Sequence, residues 1–248
     1  SRIWASFWDI ALLRKNMFNK EISKAVRLDV LGLFLAGLNN TFLALLVAVF
    51  IHGPGTTANQ PDLLLRASWI AEHTPLWKVG WLFWFAPTLS FSWSYYALGR
   101  HLDSARQWRN LAIGVALIAA AVDIVGVLVN MTVLPELAQE LARTIANPDP
   151  TLQVVFRSME KIANNLTNIG GFGLYTLAGV LLLPAIFATP SYPRWLARLG
   201  ATEWVISSIA IALLIFAPAL ATGPLIISFF LYAPWVWGSA LWLLRKQD

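Results

Sequence analysis

The sequence predicts an all-α integral membrane protein, built as a single bundle of six transmembrane helices over residues 28–248. Hydrophobic residues make up 58% of the chain and charged residues only 12%, whereas roughly 25% of the residues in an average soluble domain are charged. The chain also contains 13 Trp, a side chain that is enriched where lipid meets water. A soluble fold of this length has too little interior for so much apolar surface, so lipid must be the main solvent.

The six spans follow from the apolar runs of the chain. A helix needs roughly 20 apolar residues, at about 1.5 Å of rise per residue, to cross about 30 Å of hydrocarbon. Runs that meet this need occur at residues 28–51, 77–98, 111–134, 166–188, 205–220 and 225–244. They lack the alternation of apolar and polar residues that is typical of membrane β-barrels. All six are therefore predicted to be helices.

Basic residues in the segments between the spans predict the orientation. Of the 18 Lys and Arg residues, all but Arg66, Lys78, Arg143, Arg157 and Lys161 lie on the side of the N-terminus. Because Lys and Arg concentrate on the cytoplasmic side of membrane proteins, both termini are predicted to face the cytoplasm. This topology also explains the net charge of +5, so no nucleic-acid partner is expected.

Segments outside the spans are predicted to form amphipathic helices at the membrane surface. Residues 1–27 are expected to lie in the inner interface, because apolar side chains recur there at helical spacing. These side chains are Trp4, Phe7, Trp8 and Ala11. Short helices are expected in the outer loops, at residues 61–72 with Pro61 in the first turn, and at residues 135–161 with a break at 147–150.

Asp123 is the only ionisable residue that is predicted to lie well inside a span. It lies about 21 Å along its helix from the inner end, just beyond the middle of the membrane. A charge in hydrocarbon is costly unless it is paired or hydrated, so such residues often mark functional sites. Asn130 follows two turns later on the same face, which predicts one polar stripe. Glu203, in contrast, is expected to reach water near Arg198 at the inner boundary.

Polar side chains in the first and fourth spans lie at a similar depth to Asp123. They predict a polar pocket between spans one, three and four that opens outward beneath the two long loops. The residues expected to bind a ligand there are Asp123, Asn130, Asn39, Asn40, Asn164, Asn165, Asn168, Tyr175 and His52. The alternative is that the Asn and Asp side chains only join the helices by hydrogen bonds.

The fourth span has a glycine-rich surface beside Tyr175, formed by Gly170, Gly171, Gly173 and Gly179. Such a surface permits close packing of another helix, or it could seat a lipid chain or a flat cofactor. The sequence names no particular cofactor. Asn-x-Thr sequons begin at three positions in or beside spans, where glycosylation is not expected. They begin at Asn39, Asn130 and Asn165.

Motifs of common catalytic and metal sites are absent from the sequence. It has no Cys, no HExxH, no GxSxG and no Walker glycine loop. Its histidines are His52, His73 and His101, and they are predicted on both sides of the membrane, which argues against a haem held between spans. No metal site is predicted, and no catalytic residue is assigned. An acid–base pair of Asp123 and His52 is the arrangement that a lipid-modifying enzyme would need.

Two segments of the last third of the chain resemble a known family. They are residues 193–200, with the sequence PRWLARLG, and residues 233–246, with the sequence APWVWGSALWLLRK. The chain is similar here to an uncharacterised bacterial family of six-span membrane proteins, a domain-of-unknown-function family, most clearly over residues 165–248. The resemblance implies six spans and a bacterial inner membrane, and it assigns no activity and no functional residue.

These observations favour a non-catalytic multi-pass membrane module. It would serve as an accessory subunit of a membrane complex, or it would bind a lipid or a small hydrophobic ligand in the outward-facing pocket. Membrane lipids, other membrane subunits and a second copy of the chain are the expected partners. The alternatives are a small proton-coupled carrier that uses Asp123 and a lipid-modifying membrane enzyme.

Overall fold

A computed structural model of the protein describes residues 24–47, 53–56, 60–147 and 149–246. All regular secondary structure in these ranges is helical, which confirms the predicted all-α class. The proposed interfacial helix of residues 1–27 falls almost entirely outside the described residues. His52 also lies outside the described residues.

Seven helices follow one another in the described part of the chain. They are α1 (Lys24–Leu46), α2 (Leu63–Glu72), α3 (Thr74–His101), α4 (Arg106–Arg143), α5 (Pro150–Ala188), α6 (Arg194–Phe216) and α7 (Thr222–Lys246). Five of these, α1 and α4 to α7, are long and apolar enough to cross a membrane. Helix α3 has 28 residues, and so it spans about 42 Å. Its many Trp, Tyr and Ser residues make it less apolar than the other five.

The six long helices form a closed ring. Around the ring the helices follow the order α1, α3, α4, α5, α6 and α7, and each helix packs against the next. Helix α7 packs against α1 and so closes the ring. Short connections at residues 102–105, 189–193 and 217–221 reverse the chain direction each time, as in an up-and-down bundle. The ring therefore has two distinct ends.

The two ends of the ring differ in charge, and other helices cover only one of them. The basic end carries Lys24, Arg27, Arg100, Arg106, Arg109, Arg194, Arg198, Arg245 and Lys246. The opposite, capped end is covered by α2 and by the parts of α4 and α5 that extend past the ring. An ion pair holds this cap together: the Arg66 guanidinium donates to both carboxylate oxygens of Glu160, at 2.9 and 2.6 Å. Both side chains are buried.

The predicted short loop helices are partly wrong. Residues 61–72 do contain a helix, but it begins at Leu63 because the Asp62 carboxylate accepts the backbone N–H groups of Leu64 and Leu65 and so caps it. The segment 135–161 is not a pair of separate helices. Its two halves continue α4, which ends at Arg143, and α5, which begins at Pro150; a turn at residues 144–147 follows α4, close to the predicted break.

Three of the long helices contain a wider, π-helical turn. These turns are Asn39–Leu43 in α1, Val129–Val133 in α4 and Asn165–Gly171 in α5. Each contains one of the three Asn-x-Thr sequons. A π-helical turn inserts one extra residue into an α-helix and is often found at functional sites.

Candidate functional site

Aromatic side chains fill the centre of the ring. We call Phe91, Tyr95, Tyr175, Trp204 and Tyr232 the aromatic plug; they come from α3, α5, α6 and α7. The ring of Phe91 lies 4.4 Å from that of Tyr232 and 4.6 Å from that of Tyr175 between centroids. All five side chains are buried.

Hydrogen bonds fix the tyrosines of the aromatic plug. The Tyr95 hydroxyl donates to the backbone carbonyl of Tyr175 at 2.6 Å. The Tyr175 hydroxyl donates to the backbone carbonyl of Thr88 at 3.0 Å. The Tyr232 hydroxyl lies 2.7 Å from Ser94 Oγ. Because buried hydroxyls with partners favour a single arrangement, these hydrogen bonds stabilise the packing of the plug across the ring.

A cavity of about 110 Å³ lies on the capped-end side of the aromatic plug. We call it the Asp123 cavity. Phe91 and Tyr175 form its floor, and five of the six ring helices contribute to its wall. The wall residues are Asn40, Ala44, Trp84, Pro87, Thr88, Asp123, Thr167, Asn168, Phe172, Leu225 and Phe229. The predicted pocket between spans one, three and four is therefore also bounded by α3 and α7.

Asp123 is the charged residue of this cavity. Its side chain is 5% exposed, and the Thr88 hydroxyl donates to Oδ2 at 2.6 Å. The other oxygen, Oδ1, has no hydrogen-bond partner among the described residues. None of the ion pairs in the described part of the chain involves Asp123. A buried carboxylate with one donor and no cation is incompletely satisfied.

Close approach of α5 places Asp123 in this position. A Cβ atom at Gly171 would lie 2.8 Å from Asp123 Cβ, so only glycine lets the two helices pack this closely. One face of the same helix meets α6, where Gly179 lies against the Trp204 indole. The glycine-rich surface of α5 thus contacts neighbouring helices at these positions rather than forming an open groove.

A second cavity, of about 220 Å³, adjoins the first between α1 and α7. We call it the lateral groove. It is lined by Thr41, Leu45, Thr222, Ile226 and Phe230, and it shares other lining residues with the Asp123 cavity. The shared residues are Asn40, Ala44, Trp84, Leu225 and Phe229. Because Leu45, Ile226 and Phe230 are exposed on the outside of the ring, the groove opens onto the outer, apolar surface, and through the shared residues it adjoins the Asp123 cavity.

Four of the nine predicted site residues line the Asp123 cavity: Asp123, Asn40, Asn168 and Tyr175. The Asn40 amide donates to the backbone carbonyl of Ala36 at 2.9 Å, which orients it inside the bundle. Asn168 lines the cavity and is exposed. The structure thus brings polar groups from α1, α4 and α5 together at one place.

Other predicted residues lie elsewhere. Asn39 donates to the backbone carbonyl of Ala86 at 3.4 Å and lines a separate surface groove between α1 and α3. Asn164 is half-buried and Asn165 exposed, and neither lines the Asp123 cavity. His52 lies outside the described residues, so the proposed pair with Asp123 stays a prediction.

Asn130 is buried but does not share the cavity with Asp123. Its amide donates to the backbone carbonyl of Gly126 at 3.0 Å, and its own backbone carbonyl accepts the Trp77 indole N–H at 2.7 Å. Asn130 lies in the π-helical turn Val129–Val133. It lies about two helical turns closer to the capped end than Asp123, beyond the residues that line the Asp123 cavity.

The sequence did not predict several residues that line the Asp123 cavity, above all Thr88, Trp84 and Phe229. Thr88 follows Pro87, which lies inside α3 and leaves a backbone carbonyl without its helical donor. A proline followed by a hydroxyl residue within a span is a signal that could have marked this site. No comparable signal distinguishes Trp84 or Phe229 from the other aromatic residues of the spans.

Glu203 and Asp29 are two further buried carboxyl groups, and the prediction that Glu203 reaches water is wrong. Glu203 is 1% exposed and accepts a hydrogen bond from Ser207 Oγ at 2.7 Å. It is buried because α6 begins at Arg194, well before the apolar run, and so carries Glu203 into the ring. Asp29 is fully buried at the basic end, where His101 Nε2 lies 2.8 Å from Oδ2.

The described residues contain no group of three or more His, Asp or Glu side chains that could hold a metal ion. Comparison of the chain with protein-family models, with curated proteins and with solved structures found no match.

Proposed function

We propose that the protein is a six-span membrane protein that binds a lipid or a small hydrophobic ligand in the Asp123 cavity without transforming it. The membrane class is supported by the five apolar helices and by the outward face of α3. That face carries Leu82, Phe83 and Leu89, each at least half exposed. Monomeric soluble proteins rarely expose so much continuous apolar surface. Helix α3 would then be the sixth span.

The charge of the two ends supports an orientation in a bacterial inner membrane. The basic end carries both the start of α1 and the end of α7. Since basic residues collect in the cytoplasm, this end would be cytoplasmic, with the chain termini, and the capped end would face outward. The Asp123 cavity would then lie in the outer half of the membrane.

The junction between the Asp123 cavity and the lateral groove is the observation that carries the ligand proposal. The cavity offers polar atoms of Asp123 and Thr167, whereas half of the residues that line the groove are Leu, Ile or Phe. A cavity that contains a few polar groups and adjoins a more apolar groove matches a molecule with one polar end and one apolar end. Such a molecule could enter sideways from the lipid.

The aromatic plug favours a binder over the proton-coupled carrier. A carrier must open its site to each side of the membrane in turn. Here Phe91, Tyr175 and Tyr232 lie in contact directly beneath the cavity, and the tyrosines are hydrogen-bonded. A binder can leave this barrier intact, and a role as the ligand-binding subunit of a larger complex is compatible with it.

The test is to purify the protein gently from membranes and identify bound apolar molecules by mass spectrometry. We expect one tightly held molecule per chain in the wild type and its loss in Ala44→Leu, because Ala44 lines both the cavity and the groove. Leu45→Trp, at the exposed mouth of the groove, gives a second blocked variant with less risk to folding. Leu117→Trp on the exposed face of α4 is the matched control and should retain the molecule.

The proposal fails if the wild type holds no such molecule and binds none when lipids are added. It also fails if both blocked variants, shown to be folded by their elution and unfolding profiles, retain the molecule as well as Leu117→Trp does.

A further inference from the structure

We propose that the ligand of the Asp123 cavity is an organic amine, with an ammonium group at Asp123 and a single apolar chain that leaves through the lateral groove. This inference rests on the ligand-binding function proposed above and names the chemical class of the ligand. It follows from the charge, the hydrogen-bonding capacity, the aromatic lining and the size of the two cavities.

The charge of the residues that line the two cavities favours a cationic headgroup. Asp123 is the charged residue among the described residues that line the Asp123 cavity and the lateral groove, and no Lys, Arg or His lines either of them. A phosphate or carboxylate headgroup would bring a second negative charge into a space that offers no cation. A buried like-charge contact of this kind selects strongly against such ligands.

The Asp123 carboxylate has a hydrogen-bond acceptor that a ligand donor could fill. Thr88 supplies one donor to Asp123 Oδ2, and Oδ1 has no partner in the described part of the chain. A buried acceptor without a donor costs free energy that a ligand N–H group would recover. An ammonium group has several donors and a positive charge, so it meets both needs of the carboxylate at once.

The aromatic residues that line the cavity also favour a cationic headgroup. Trp84, Phe91, Phe172, Tyr175 and Phe229 line the cavity around Asp123. The faces of aromatic rings attract cations, and sites for organic ammonium groups are commonly built from several such rings beside a carboxylate. A neutral hydroxyl headgroup would gain the hydrogen bond but not this attraction.

Size selects a small headgroup and a single chain. The Asp123 cavity measures about 110 Å³, which suits an amine and a few carbon atoms but not a zwitterionic phospholipid headgroup. The lateral groove measures about 220 Å³ and opens between Leu45 and Phe230 on the outside of the ring. It provides one apolar path from the cavity to the surrounding lipid.

The experiment compares three probes with the same alkyl chain, which are dodecylamine, dodecanol and dodecanoate. Each is added below the concentration at which it forms micelles or separates from solution, to the full-length protein in lipid nanodiscs at neutral pH. Bound probe per chain is counted by native mass spectrometry, and the thermal midpoint of unfolding reports stabilisation by binding. We expect saturable binding of one dodecylamine, weaker binding of dodecanol and no binding of dodecanoate.

Two variants connect the result to Asp123. In Asp123→Asn, dodecylamine should bind about tenfold more weakly or worse, since a charge-assisted hydrogen bond is lost, while dodecanol should bind nearly as before. Glu140→Gln removes an exposed carboxylate paired with Arg143 at the capped end and should bind dodecylamine like the wild type.

The amine proposal is overturned if dodecanoate or dodecanol binds as tightly as dodecylamine, or if Asp123→Asn binds dodecylamine unchanged. In those cases loss of probe binding in Ala44→Leu would still support a site for apolar ligands. If none of the three probes binds and no apolar molecule purifies with the wild type, the ligand-binding function itself is wrong.

Discussion

Glu160 and Asp123 are both buried carboxyl groups on neighbouring helices, but their surroundings differ. Glu160, at the capped end, receives two hydrogen bonds from Arg66, whose guanidinium also donates to the backbone carbonyls of Gln60 and Pro61. Asp123 receives one hydrogen bond, from Thr88, and no ion pair within the described residues. Both carboxylate oxygens of Glu160 thus have hydrogen-bond donors without a ligand, whereas one oxygen of Asp123 has none among the described residues.

This contrast separates structural from functional polar residues in a helical bundle. A buried charge whose partners are all present stabilises one packing and gains nothing from a further molecule. A buried carboxylate beside a cavity, with an oxygen left over, is a candidate binding group. Removing a partner from the first should therefore destabilise the fold, whereas neutralising the second should affect binding more than folding.

The largest effect is expected for Arg66→Met. This change leaves Glu160 buried without a cation and should lower the free energy of unfolding by about 3–5 kcal/mol. Urea or thermal unfolding in a mild detergent measures it. The double variant Arg66→Met/Glu160→Gln should recover part of the loss, because no unpaired charge remains. An Arg66→Met protein as stable as the wild type would show that the pair does not hold the cap.

A smaller effect is expected for Gly171→Ala. The new methyl group would lie 2.8 Å from Asp123 Cβ, so α4 and α5 must separate slightly. We expect a loss of about 1–3 kcal/mol in the free energy of unfolding. Gly173→Ala is the matched control, because its methyl group would lie an ordinary 3.7 Å from the nearest atom, on Ile211. Equal losses in the two variants would mean that packing against Asp123 is not the cause.

The smallest effect on stability is expected for Asp123→Asn. Asn keeps the shape and can still accept from Thr88, and it removes a charge that lacks a cation, so the free energy of unfolding should change by less than about 1 kcal/mol in either direction. Unfolding of the ligand-free protein in detergent measures this change. A large destabilisation would place Asp123 in the same class as Glu160, as a structural residue, and the contrast between the two would disappear.

Hydropathy predicts the approximate position of the apolar helices but not their ends, and five of the six predicted spans coincide with helices that are long and apolar enough to cross a membrane. Helix α4 continues past Pro135 to Arg143, and the proline follows directly on the π-helical turn Val129–Val133, where the α-helical hydrogen-bond pattern is already interrupted. Helix α6 begins at Arg194, in a polar stretch that no apolar run marks. This early start is also why Glu203 is buried.

The candidate site is only partly predictable for a related reason. Asp123, Asn40 and Asn168 stand out because polar residues are rare in apolar spans. Trp84, Phe91 and Phe229 do not stand out, since a helix that is apolar on all sides gives no indication of which side turns inward. The positions of the aromatic plug and of the lateral groove also depend on which side of each helix faces inward, and the sequence does not indicate that side.

The π-helical turns that coincide with the three Asn-x-Thr sequons change the direction in which the side chains beyond them point. One extra residue rotates everything beyond it by about 100° relative to a plain α-helix. In α5 the turn Asn165–Gly171 separates Glu160, which faces Arg66, from Tyr175, which faces the aromatic plug. Deleting one residue from this turn would leave only one of the two facing its partner. The same turn therefore sets the alignment of the cap with the cavity beneath it.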